Sequence, residues 1–290
     1  DGVIERVEDY TTYKEKYFDI DLIHYPGKII TPGFIDTHIH ATQTAVMASY
    51  GERLIEWLDT YVFPAEKAFE HEEKARAEAT FFLDSLLSSG TTTACAYGSS
   101  FFTGCDALLD EASHRNMRLI AGNTMMDQDS GPIHFSSQEN HETAIALVEK
   151  WHNKKRLQYC VTPRFALSCS EPLLELCGAL MQQYPDVYLQ THLNENHDEI
   201  SAVKNKFPWS SHYLGVYEKF GLLTDRSIFG HCLHLTEAEY ELMQHASSII
   251  SWCPTSNNFL GSGLFDYEKM RRYTTNITLA TDCGAGSSFS

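Results

Sequence analysis

Two histidines, His38 and His40, stand one residue apart at the end of a short apolar run, Pro32-Gly33-Phe34-Ile35-Asp36-Thr37-His38-Ile39-His40. Side chains of a strand alternate between its faces, so His38 and His40 share one face and Ile39 takes the other. Two imidazoles on one face can chelate one divalent ion. Three more metal-capable side chains close later apolar runs: His192 in Leu189-Gln190-Thr191-His192, His231 in Ile228-Phe229-Gly230-His231, and Asp282 in Leu279-Ala280-Thr281-Asp282. Any one of these alone is an ordinary buried polar residue. Four strand ends that each offer a ligand read as a catalytic metal centre. Mixed His and Asp ligation suits zinc first and iron second, and an open coordination position brings the pKa of a water towards neutrality. Glu195, three residues beyond His192, is not needed as a ligand. A carboxylate there can take a proton from the water and return it to a nitrogen, a stronger reading than a solvated loop glutamate beside Asp198 and Glu199.

The elements that must position these residues alternate. Strand-like runs at 33–40, 91–97, 118–123, 157–164, 187–193, 227–232, 248–253 and 277–282 are separated by segments with helical spacing, among them 71–88, 106–116, 141–152, 171–184 and 236–245. Pro172 sits in a first helical turn, where proline is favoured, and Thr236 with Glu239 has capping-box spacing. A β-then-α order implies a parallel sheet, and eight strands imply an α/β fold of the closed (β/α)8, TIM-like type rather than an open doubly wound sheet. In that barrel the site lies at the C-terminal ends of the strands, where the five candidate ligands fall.

A chain of 290 residues with 43% hydrophobic content can bury one large core. The net charge of −17 argues against nucleic acid, because phosphate binding needs clustered Lys and Arg. No apolar run has the length of a membrane helix. Eight cysteines occur without a CxxC pair, which fits buried thiols in a reducing cytoplasm.

The run at 32–40 is similar to the first-strand motif of the amidohydrolase superfamily. The finer resemblance is to the guanine deaminase family. It shows in His40-Ala41-Thr42-Gln43, in Tyr61-Val62-Phe63-Pro64-Ala65-Glu66, in Gly90-Thr91-Thr92-Thr93-Ala94, in Val161-Thr162-Pro163-Arg164-Phe165, in His192-Leu193-Asn194-Glu195-Asn196 and in Cys253-Pro254-Thr255-Ser256-Asn257. The resemblance covers about residues 29 to 285. It implies zinc-dependent hydrolysis of guanine to xanthine and ammonia, with one ion per chain, and a homodimer. Carried over, His38, His40, His192 and Asp282 resemble the zinc ligands. His231 resembles a residue that contacts the metal or its water. Glu195 and Asp282 resemble the proton shuttles, and Gln43, Arg164 and Phe165 the purine-holding residues. A different amidohydrolase, acting on a triazine, another aminopurine or a cyclic amide, is the alternative. A barrel kept only as a scaffold is a weaker one, since every ligand is retained.

The ends carry a further expectation. Residues 1–28 read as part of a small β-domain and 29–290 as the barrel. The barrel stops after its eighth strand with no following helix, so the native polypeptide is expected to extend past both ends. The outer faces of the first and last strands, with Ile35, Ile39, Ile277 and Leu279, would otherwise lie open.

Overall fold

The computed structural model describes residues 4–17, 19–49, 54–128, 130–274 and 276–290. The chain divides into two compact units, Asp1–Pro32 and Gly33–Ser290. The larger unit holds eight strands paired in chain order: β1 Phe34–His40, β2 Thr91–Gly98, β3 Arg118–Met125, β4 Leu157–Pro163, β5 Tyr188–Leu193, β6 Ser227–His231, β7 Ile249–Trp252 and β8 Ile277–Leu279. Every ladder is parallel. The sheet closes where the chain past β8 returns to β1. Asp282 N donates to His38 O at 2.9 Å and His40 N to Cys283 O at 2.8 Å. Below them the hydroxyl of Thr37 meets those of Thr278 at 2.7 Å and Ser251 at 2.6 Å. This is the expected (β/α)8 barrel.

Each expected run holds a strand, but the last is shorter than its apolar pattern. β8 ends at Leu279, and Asp282 sits three residues further on with φ 48°. A residue with positive φ cannot continue a strand, so this candidate ligand lies on the turn that closes the barrel.

The helices form where apolar residues recur at helical spacing. In Glu72–Ser88 the buried positions are Ala75, Ala79, Phe82, Leu83 and Leu86, a single stripe facing the barrel. Ile39, on the outward face of β1, is fully buried in the same core as Ala79, Phe82 and Leu83. That corrects the expectation of an open face at Ile39: the helix covers it. Ile35 and Leu279 do lie open, at 62% and 59% exposure, while Ile277 is half-buried. Ser136 with Glu139, Asn196 with Glu199 and Thr236 with Glu239 each close a reciprocal capping box, satisfying helix N–H groups that have no internal partner.

In the smaller unit the described residues carry one helix, Tyr10–Lys16, capped by Asp9 accepting from Thr11 N. They contain no strand, where the sequence reading expects β-structure. A strand needs a partner ladder to satisfy its backbone, and Ile4 and Val7 stand exposed without one. Residues 1–3, also part of that reading, lie outside the described residues.

Candidate metal centre

The pleat of β1 turns His38 and His40 into the barrel mouth. Their Nε2 atoms lie 3.4 and 3.3 Å from Asp282 Oδ1. His192, from the end of β5, brings its ring to 4.7 Å from that of His38 and 5.2 Å from that of His40. One ligand atom from each of His38, His40, His192 and Asp282 falls within a sphere where all are less than 4.8 Å apart. His231 joins a second overlapping set with His38, Asp282 and Cys253. His38 Nδ1 and Nε2, His231 Nε2 and Asp282 Oδ1 are buried without a hydrogen-bond partner. Orphaned polar atoms at this depth are costly. A divalent cation would satisfy several of them at once, and three imidazoles with one carboxylate form a donor set that zinc accepts.

Several contacts outside this set hold the rings. His192 Nδ1 lies 2.6 Å from Arg164 O and must donate to it, which leaves the Nε2 lone pair for an ion. His231 Nδ1 lies 2.8 Å from Asn257 Oδ1, so its Nε2 is aimed at Glu195 Oε2, 3.5 Å away, and at Asp282 Oδ2, 3.8 Å away. Buried Asp36 accepts from His38 N at 3.2 Å, Thr281 N at 3.3 Å and Thr281 Oγ1 at 2.5 Å, tying β1 to the Asp282 turn. Gly230, before His231, leaves the room that the His38 ring fills. A Cβ there would stand 2.4 Å from His38 Cε1.

Burial sets the protonation of the cluster. It drives His38 down to about 4, and it lowers His40 and His192 as well. All three rest as the neutral imidazoles that ligation requires. His231 differs: burial pushes it down, but the carboxylates of Glu195 and Asp282 outweigh that and raise it. For Asp282 burial acts upward, and the close approach of the His38 and His40 imidazoles more than reverses this, holding it well below the usual carboxylate range. Burial raises Glu195 and brings Glu199 up to about 7.

A small pocket opens onto this cluster. His40, His192 and Asp282 form its floor. Gln43, Arg164, Phe165 and Glu195 line it with Trp57, Leu58, Leu260 and Ala285. The residues singled out in the sequence thus converge on one place, with His38 and His231 just behind the floor.

Four contributors were not anticipated. Ser262 Oγ donates to Glu195 Oε1 at 2.9 Å, and Asn257 orients His231. Glu199 is buried, not solvated. It accepts from the backbone N–H groups of Glu195 and Asn196 at 3.0 and 3.3 Å and from Tyr213 Oη at 2.8 Å. Its capping-box position after Asn196 was a readable signal. Glu66 accepts from Arg164 Nη1 at 2.9 Å, and from Gln43 Nε2 and Thr42 Oγ1, each at 3.2 Å. Its segment, Phe63-Pro64-Ala65-Glu66, is among those that carry the family resemblance, but nothing local marks it as the buried partner of an arginine 98 residues away.

A parallel (β/α)8 barrel with histidines at the C-terminal ends of β1, β5 and β6 and an aspartate on the turn after β8 is the architecture of the amidohydrolase type. The amidohydrolase family model matches residues 29–290, and the chain belongs to that family. Within it the chain is 43% identical over 290 residues to the guanine deaminase of Escherichia coli strain K12, covering 99% of this chain and 66% of that enzyme. The crystal structure of guanine deaminase from Bradyrhizobium japonicum superposes on all of this chain and 63% of its own, with TM-score 0.97 and 38% identity. That of the C. acetobutylicum guanine deaminase, with guanine bound in its active site, gives TM-score 0.91 and 29% identity over 95% of this chain and 67% of its own. The chain spans just under two thirds of the length of the E. coli and B. japonicum enzymes.

Proposed function

We propose that this protein hydrolyses guanine to xanthine and ammonia. The observation that carries the reading is the meeting of Glu195, Gln43, Arg164 and Phe165 with the His38, His40, His192 and Asp282 donor set in one pocket. The similarity to guanine deaminases supports the choice of substrate.

A divalent ion held by His38, His40, His192 and Asp282, with His231 beside it, supplies Lewis-acid activation of water. The remaining work belongs to the side chains. Arg164 donates to O6, Gln43 pairs with the ring edge and Phe165 packs against the planar base. The water oxygen bonds to C2. Glu195, kept protonatable by burial, takes a proton from the water and delivers it to N3. The second proton reaches the amino group through Asp282 or Glu195, the C2–N bond breaks, and ammonia leaves. His231, facing both carboxylates, is placed to hold the attacking water. Zinc, a homodimer and a cytoplasmic setting complete the proposal. The nitrogen-rich donor set supports zinc, and eight buried, unpaired thiols support a reducing compartment. Among the described residues no helix is long and apolar enough to cross a membrane.

The test is the loss of guanine absorbance on metal-replete protein, with adenine and cytosine as controls. Turnover of guanine alone is expected. No loss with guanine, or equal turnover of adenine, overturns the reading.

A further inference from the structure

Glu66 does not line the pocket, yet it is bonded to both polar side chains that read its ligand's edge. It is 4% exposed. Its Oε1 accepts from Gln43 Nε2 at 3.2 Å and from Arg164 Nη1 at 3.1 Å, and its Oε2 accepts from the same Nη1 at 2.9 Å. The Arg164 guanidinium is also set over the Phe63 ring, 5.2 Å from its centroid. A carboxylate only accepts hydrogen bonds, whereas an amide has a donor end and an acceptor end. Glu66 therefore dictates which end of Gln43 faces it. Nε2 must turn towards Glu66, and Oε1 turns away, where Gly284 N approaches at 3.4 Å.

We propose that Glu66 is a specificity-determining positioning residue that locks Gln43 with its carbonyl as the recognition end, beside the donor Arg164. This rests on the functional reading above and deepens it. A donor next to an acceptor complements a ring lactam, where C=O adjoins N–H. It does not complement an amidine edge, where an amino group adjoins a bare ring nitrogen. The substrate class is then a 2-amino-6-oxopurine, selected by its O6 and N1–H, independently of the amino group that leaves. Sites built to pair buried polar groups reject mispaired analogues strongly, because both partners are left unsatisfied.

The experiment compares guanine with 2,6-diaminopurine, which keeps the 2-amino leaving group and changes only the edge. Kinetics are measured on native protein and on Glu66→Gln. Glutamine at 66 has nearly the same shape but can donate or accept, so it releases the lock. The native protein is expected to prefer guanine in kcat/KM. Glu66→Gln should cut that preference by tenfold or more, mainly through a raised KM for guanine. A fall by one common factor for both purines would mean that Glu66 is merely structural, and would overturn the inference. Should Glu66→Gln fail to fold, Gln43→Met leaves the Glu66–Arg164 pair intact. It is expected to collapse the same preference, and an unchanged preference there overturns the inference too. Native protein that turns over neither purine removes the functional reading and this inference with it. Native protein active on guanine with an unchanged preference in the variants removes this inference alone.

Discussion

Gly230→Ala should damage the metal centre without replacing any ligand. The added Cβ would stand 2.4 Å from His38 Cε1, 2.6 Å from Nδ1 and 3.2 Å from Nε2, where ordinary contact begins at 3.4 Å. The ring must therefore retreat by about 1 Å or more, and it has little room. Tyr97, His192 and His231 pack around it at centroid distances of 5.0, 4.7 and 5.2 Å. The backbone at Gly230 is not in the left-handed region, so alanine adds no conformational strain there and the clash alone acts. Overpacking of this kind costs about 1–3 kcal/mol of stability. Disturbing the support of a ligating histidine typically costs about 10–100-fold in metal affinity. Metal content per chain after dialysis against graded chelator reads the second effect, and thermal melting reads the first. The variant should give up its ion at roughly tenfold lower chelator or less. A variant that keeps its ion at the native chelator concentration and keeps native turnover would refute the placement of His38 against β6.

Three further outcomes follow from the same geometry. Glu195→Gln should retain the ion but lose about 10²–10⁴ in kcat, since the amide cannot shuttle a proton; near-native turnover would make Glu195 a bystander. Arg164→Lys should weaken guanine turnover, because a point charge can replace neither the fork nor its bonds to Glu66; unchanged kcat/KM would contradict its role. Burial lifts Glu199 from 4.5 to about 7, so the folded state holds that proton more tightly than the unfolded one. Its contribution to stability is therefore present below pH 4.5 and is lost as pH rises through about 7. Glu199→Gln, which preserves the capping-box geometry, should flatten the fall in melting temperature across that window, and an identical slope in both proteins would refute it.

The barrel was legible because each strand is a short apolar run and each helix keeps its stripe at helical spacing, as in Ala75, Ala79, Phe82, Leu83 and Leu86. The donor set was legible because period-two alternation fixes His38 and His40 on one face whatever surrounds them. Asp282 was found as a residue but misplaced as a strand end, since its positive φ comes from the closing turn rather than from local composition. Ile39 was read as open because no helical segment follows the eighth strand, whereas the helix at Glu72–Ser88, itself legible, covers that face. Glu66 and Asn257 lay in segments that carry the family resemblance yet had no assigned role, and Ser262 was unmarked, because each acts through a partner 23 to 98 residues away. Arg164 itself was legible only through resemblance, because an arginine after a strand is ordinarily a surface residue.

The most direct test of the centre is anomalous scattering at the zinc edge from crystals of the metal-replete protein. One peak per chain is expected, within bonding distance of His38, His40 and His192 nitrogens and an Asp282 oxygen. A peak elsewhere, or active protein with no peak among these four residues, would contradict it.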